Sequence, residues 1–329
     1  MFSIYLVVAV VILALCFDYV NGFHDTANAI ATSVSTKALS PRQAIVIAAT
    51  LNFLGALSGT AVAATIGRNI VLPELITPSL LIAALLGAIF WNLFTWYFGI
   101  PSSSSHALIG GLSGGAIAAF GFFAVNWEGF IKILVGLIAA PIVGLIAGSL
   151  VMTLLFWLFK NASPAQTNNK FRKLQVISAS MASFAHGSND AQKSMGIITM
   201  VLLSGGLIST FHVPLWVKIA CALAMAAGTA AGGWKIISTM GGKIFRIEPI
   251  NGFAADFTAS LTIYSASLMG APVSTTHVVS SSIMGVGAAK RLRGVRWNIA
   301  RQIVIAWFIT IPFSAFVAIL AYNLITIFL

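Results

Sequence analysis

Charge is what this chain has least of. Seven of its 329 positions carry Asp or Glu, and all charged side chains together make up 8%, against about 25% in a soluble domain. A surface so poor in charge excludes a water-soluble globule and points into a lipid bilayer. Cysteine is almost absent too. Cys16 and Cys221 both lie inside apolar runs and far apart, which excludes a disulfide framework and a thiolate metal site. The weak alternation over about ten residues that marks a transmembrane β-barrel is also missing. In its place are continuous charge-free runs at 43–67, 75–127, 133–159, 194–217, 257–289 and 302–329. A membrane-spanning helix needs about 20 apolar residues, and helices are the spanning element such runs allow. The fold class expected is all-α, a polytopic membrane protein of about 10–12 helical passes, some of them half-passes. The first apolar run has no Lys or Arg before it and no small-residue cleavage site followed by a soluble domain, so it reads as a retained helix. It is interrupted by Asp18 and Asp25.

What charge there is runs positive, with 18 Lys and Arg. Basic excess can signal nucleic acid, but here eight of the 18 fall in two clusters, Lys160, Lys170, Arg172 and Lys173, and Lys290, Arg291, Arg293 and Arg296. Clusters between apolar runs set topology, so loops 160–173 and 290–296 are expected to be cytoplasmic, and no nucleic-acid partner is expected. One apolar stretch follows the second cluster, which puts the C-terminus outside.

Compared with itself, the chain matches twice. Gly22-Phe23-His24-Asp25-Thr26-Ala27-Asn28 pairs with Gly187-Ser188-Asn189-Asp190-Ala191-Gln192-Lys193, and Gly99-Ile100-Pro101-Ser102-Ser103-Ser104-Ser105-His106 pairs with Gly270-Ala271-Pro272-Val273-Ser274-Thr275-Thr276-His277. Asp25 and Asp190 stand 165 residues apart and Pro101 and Pro272 stand 171 apart, each close to half the chain. A weaker match joins Gly55 and Gly59 to Gly228 and Gly232, a spacing that lets helix backbones approach. The expected organisation is a first repeat at 1–160, a cytoplasmic linker at 161–173 and a second repeat at 174–329. A second half that starts inside and ends outside makes the first half its inverse, an architecture that places a transport site near the midplane at discontinuous helices.

Two of the seven acids, Asp25 and Asp190, occupy matched positions in apolar surroundings. An intramembrane carboxylate is costly and is kept where it lines an ion pathway or pairs with a partner. Gly22 and Gly187 are expected to break their helices and free carbonyls, and Asn28 and Asn189 to add amide oxygens, a set of hard ligands for a cation. Pro101 and Pro272 mark helix breaks. The Ser/Thr runs that follow lie at half-helix starts, where exposed N–H groups and the positive dipole end attract an anion. His106 and His277 close these runs, as further candidates for proton transfer or indirect support. His24 and His186 flank the Asp motifs without aligning, His24 matching Asn189 and His186 matching Asn21; as titrating groups they are candidates for proton transfer or indirect support. A dianion beside two carboxylates cannot persist in a low dielectric without added positive charge, so cotransport with protons or cations follows from the inventory.

At these residues the sequence resembles the inorganic phosphate transporter family, often called PiT, over almost its whole length, through Gly22 to Ala29 and His186 to Lys193 with the Pro-Ser segments. The resemblance implies a secondary active transporter in the inner (plasma) membrane. It would import inorganic phosphate, alone or as a metal-phosphate complex, by Na+ or H+ symport with alternating access, with external termini, no cofactor and a homodimer as the assembly. It assigns cation binding to Asp25, Asn28, Asn189 and Asp190, with Asp25 and Asp190 holding Na+ if sodium is coupled, and phosphate contact to Ser103, Ser104, Ser105, Ser274, Thr275 and Thr276. No catalytic residue is implied. Lys193 stands where the first half has Asn28, and its ammonium serves as a built-in cation for Asp190 or for phosphate; a Lys whose head reaches the membrane surface is the other reading. Sulfate, also tetrahedral, is the alternative substrate. A hydrolase would need one nucleophile and one base rather than a duplicated set, and a passive channel shares the hydroxyl and carboxylate lining.

Overall fold

The computed structural model describes residues 3–328 and all their side chains but those of Thr26, Ala27, Trp234 and Phe328. Twelve α-helices and no strand occur among them. The first six are α1 (Ile4–Ser35), α2 (Pro41–Ala56), α3 (Ala61–Asn69), α4 (Pro78–Tyr97), α5 (Ser104–Phe120) and α6 (Trp127–Leu158). The second six are α7 (Pro164–Ser204), α8 (Leu215–Ala231), α9 (Trp234–Ser238, continued by a π turn to Lys243), α10 (Pro249–Leu268), α11 (Thr275–Lys290) and α12 (Trp297–Phe328). Lengths echo between the sets: α4 and α10 both have 20 residues and open on Pro, while α6 and α12 both have 32, open on Trp and carry an internal Pro, Pro141 or Pro312.

α1 and α7 cross antiparallel. Gly205 lies near Val7, Ser194 bonds Asp18, and Thr36 bonds Gln175. Around this pair stand two helical hairpins that enter from opposite ends. The α4–α5 hairpin has its open end tied at residues 70–72 and 124–126 (Val71–Val125 bridge, Asn126 N–H to Ile70 carbonyl), near the C-terminal end of α7, where Arg68 donates to the Phe211 carbonyl. The α10–α11 hairpin is tied at the other end, by the Lys290–Glu248 pair and the Arg296 N–H to Ile244 carbonyl bond, beside Phe171 and Gln175 near the start of α7. Apolar residues form two clusters, one gathered on Val7, Leu80 and Val201, the other on Ala29, Phe171 and Ile250. Polar side chains of α1 and α7 fill the layer between.

Taken singly, α1, α4, α6 and α12 are long and apolar enough to cross a membrane. The bent pairs α2–α3 (67°) and Leu215–Ala231 with Lys235–Lys243 (64°) raise the number to six. α7 has the length but carries the polar layer in its middle.

One expectation is corrected here. Gly22 and Gly187 do not break their helices, since α1 and α7 run unbroken through both. They are contact points: a Cβ on Gly22 would collide with the Met225 carbonyl of α8, and one on Gly187 with the Asn52 carbonyl of α2. Gly55 and Gly228 make the reciprocal approaches, to Phe184 and Tyr19. The segment 161–173 is helical from Pro164, capped by Ser163.

Candidate functional site

The two hairpin tips are built alike. α4 ends with Gly99 at φ +64°, and α10 with Gly270 at φ +70°. In each, the glycine N–H and the next N–H fold back on the helix: Gly99 to Trp96 and Ile100 to Thr95, Gly270 to Ser267 and Ala271 to Ala266. This is a Schellman stop, which needs the left-handed conformation glycine adopts without strain. Pro101 and Pro272 then prevent the helix from resuming. Ser103 and Ser274 restart it as N-caps, each hydroxyl accepting the amide three residues on, from His106 and His277, at 3.2 Å. α5 and α11 therefore begin in the polar layer, with first-turn amides left over from their own ladders and positive dipole ends facing one another.

Between them lie the carboxylates. Asp25 and Asp190 are 1% and 0% exposed. Ser104 Oγ donates to Asp25 Oδ2 at 2.9 Å, and Thr275 Oγ1 to Asp190 Oδ2 at 3.1 Å, each hydroxyl coming from the same half as its acid. The cross-half contacts differ. Thr276 Oγ1 reaches Asp25 Oδ1 directly at 3.0 Å and accepts from Asn28 Nδ2 at 2.9 Å. On the other side Lys193 intervenes, its Nζ donating to Ser105 Oγ at 2.5 Å and to Asp190 Oδ1. Lys193 is fully buried, so it does not reach for the surface. Removing either partner of such a pair leaves an uncompensated charge, at a cost of about 3–5 kcal/mol.

The remaining expected residues divide. Asn28 keeps Oδ1 without a partner in the buried layer, a free oxygen for a cation. Asn189 spends its amide on the α10–α11 turn, donating to Ser267 and Ala271 and accepting from the Val273 N–H. Ser105 donates to the Val273 carbonyl, joining the two tips. His24 holds Asp25 Oδ1 (2.9 Å) and Thr95 (3.0 Å). His186 Nε2 is 3.2 Å from Asp190 Oδ2 while Nδ1 meets Asn52 at 3.0 Å. One ligand atom each from Asp25, His186 and Asp190 falls within 4.8 Å of the others, so these three could share one cation. His106 and His277 stand apart from the acids: their rings lie 4.4 Å from each other, His106 is bonded to Ser103, and His277 is stacked on Trp307.

Sequence reasoning missed Asn52 and Thr95. Asn52 links His186 to Thr229 across α2 and α8, and Thr95 ties His24 to Ser102 of the tip. Each is a polar residue inside an apolar run, which was the available signal. All the polar groups named here are buried, so the layer can hold a small oxyanion and a cation only in place of contacts it now makes to itself.

The profile of the phosphate transporter family matches residues 21–318. The chain is 53% identical to a "probable low-affinity inorganic phosphate transporter" of Bacillus subtilis, with 97% of both chains covered. It is 47% identical to one of Rhizobium meliloti, with 96% of both covered. A solved structure titled "The sodium-dependent phosphate transporter" is similar in fold, with a TM-score of 0.89 at 26% identity, covering 99% of this chain and all of that one.

Proposed function

Because the chain belongs to the phosphate transporter family, we propose that it imports inorganic phosphate by cation symport, through two inverted repeats that expose the central layer to one side of the membrane at a time. The observation that carries this reading is the junction of two helix N-termini with two buried carboxylates and one buried ammonium. The N-termini and hydroxyls Ser104, Ser105, Thr275 and Thr276 suit a tetrahedral anion. Asp25 and Asp190 forbid it unless positive charge arrives with it. Lys193 supplies one charge permanently, at the position where the other half has neutral Asn28, and so replaces one mobile cation. The remaining cation is either a proton or an ion at Asp25, His186 and Asp190; a divalent ion there would enter as a metal-phosphate complex, since carboxylate and imidazole suit it.

Orientation is read from charge. Lys160, Lys170, Arg172 and Lys173 stand at the same end as Lys243, Arg246 and the 290–296 cluster, which favours that end as cytoplasmic. On this reading both hairpins are re-entrant, α4–α5 from outside and α10–α11 from inside, and both termini are external.

The test is uptake of labelled phosphate into proteoliposomes with sodium and proton gradients imposed separately and sulfate as competitor. Accumulation against a gradient, driven by one of the two and resistant to sulfate, is expected. Sulfate moving in its place overturns the substrate, and uptake indifferent to both gradients overturns the symport.

A further inference from the structure

Seven residues before Asp25, on the same face of α1 and about 10 Å along its axis, lies a carboxylate with no part in the site described above. Asp18 is fully buried. Its Oδ1 accepts from Ser194 Oγ at 2.7 Å, and its Oδ2 has no N–H or O–H partner, the weak thiol donor of Cys221 on α8 being the one other group bonded to the carboxylate. One turn further on, Asn21 is fully buried with both amide atoms unpartnered. Buried polar groups are normally satisfied, and each exception costs about 1–3 kcal/mol. An open carboxylate oxygen and an open amide on one stripe of α1, between the C-terminal end of α7 and the central acids, therefore call for an occupant.

We propose that Asp18 takes up the proton that enters with phosphate, a deepening of the symport reading above in its proton-coupled form. A metal ion or sodium wants a shell of several oxygens, whereas Asp18 offers one open oxygen beside one amide, enough for a proton and a water. The titratable groups around it are Asp190 and Lys193 of α7 and Cys221 of α8; α4, also packed on α1, carries only Tyr97, exposed at its far end. A proton from water adds to Oδ2 and turns the carboxylate into a neutral acid. No other bond changes, and the same proton returns to water on the opposite side after phosphate leaves. While it is bound, Asp25 and Asp190 face the Lys193 ammonium as two carboxylates rather than three, so the dianion meets less repulsion. Ser194, bonded to Asp18 and next in sequence to Lys193, couples the state of Asp18 to the Lys193–Asp190–Ser105 junction.

The experiment uses the full chain in liposomes with the membrane potential held at zero, reading phosphate exchange at equal pH and net accumulation under a pH difference of one unit. Each coupled proton should give the native protein about tenfold accumulation. Asp18→Asn, which can still accept from Ser194, is expected to keep exchanging phosphate at a rate no longer dependent on pH, with an accumulation ratio of about 1; Asp18→Glu is expected to restore accumulation. Accumulation by Asp18→Asn equal to that of the native protein overturns the proposal. So does loss of exchange in Asp18→Asn that Ser194→Ala reproduces, because Asp18 is then only a tie between helices. Native accumulation on a sodium gradient alone overturns the role of Asp18 while leaving cation symport standing, and accumulation on neither gradient overturns symport itself.

Discussion

Lys193 is among the largest fully buried side chains of the molecule, and its ammonium stands between Asp190 and Ser105. Its counterpart Asn28 makes the matching cross-half bond to Thr276 without bringing charge. The substitution Lys193→Ala should therefore leave Asp190 in need of a cation from solution. Phosphate KM is expected to rise about tenfold or more, each tenfold being about 1.4 kcal/mol, and the cation-to-phosphate ratio in paired flux measurements should rise by one. Unchanged affinity and ratio would show that Lys193 only packs. Thr276→Val tests the other side, where one hydroxyl both donates to Asp25 and accepts from Asn28. Stranding those two partners should cost about 1–3 kcal/mol, seen as a fall in thermal stability of the detergent-solubilised protein that phosphate does not fully restore.

Among helices, the decisive contacts are between α1 and α8 and between α2 and α7, where glycines remove the side chain from the crossing point. Gly187→Ala puts a methyl group into the Asn52 backbone, whereas Gly136 on α6 has nothing within 4 Å. The first change is expected to destabilise by about 1–3 kcal/mol and the second to be neutral within about 0.5 kcal/mol; equal melting temperatures for the two would contradict the packing role. This also explains where the sequence misled. A glycine beside a buried acid fits a helix break and a helix crossing equally well, and only the neighbour, a backbone carbonyl of another helix, separates the two. The breaks at Pro101 and Pro272 were legible because proline acts on its own backbone. The duplicated Asp, Ser and Thr residues were legible because repetition picks them out. His186 was half-seen: it lies one turn before Asp190 but matches Asn21 in the other half, so symmetry gave no reason to join it to Asp25 and Asp190, and folding did. Asn189, assigned to the cation by its motif, is drawn off by the turn at 271–273, which no spacing along the chain discloses.

At the scale of the whole molecule, the proposed arrangement turns on direction. In it the matched helices α1 and α7, which run antiparallel, and the matched hairpins, which enter from opposite ends, belong to halves inverted with respect to the bilayer, so that their tips meet in the middle. Parallel halves would place both pairs of hairpin feet on one face. Labelling of single cysteines decides between them, starting from a Cys16→Ser background because Cys16 is exposed and Cys221 buried. Ala162→Cys and Arg293→Cys, both exposed, belong to the end rich in Lys and Arg. Phe122→Cys and Leu207→Cys, at positions 69% and 52% exposed, belong to the other. An impermeant maleimide added to intact cells should modify the second pair and spare the first until the membrane is opened. Modification of all four from outside would remove the inverted arrangement. With it would go the reason for two helix N-termini to face each other across Asp25 and Asp190, since that junction requires feet on opposite faces and tips in the middle.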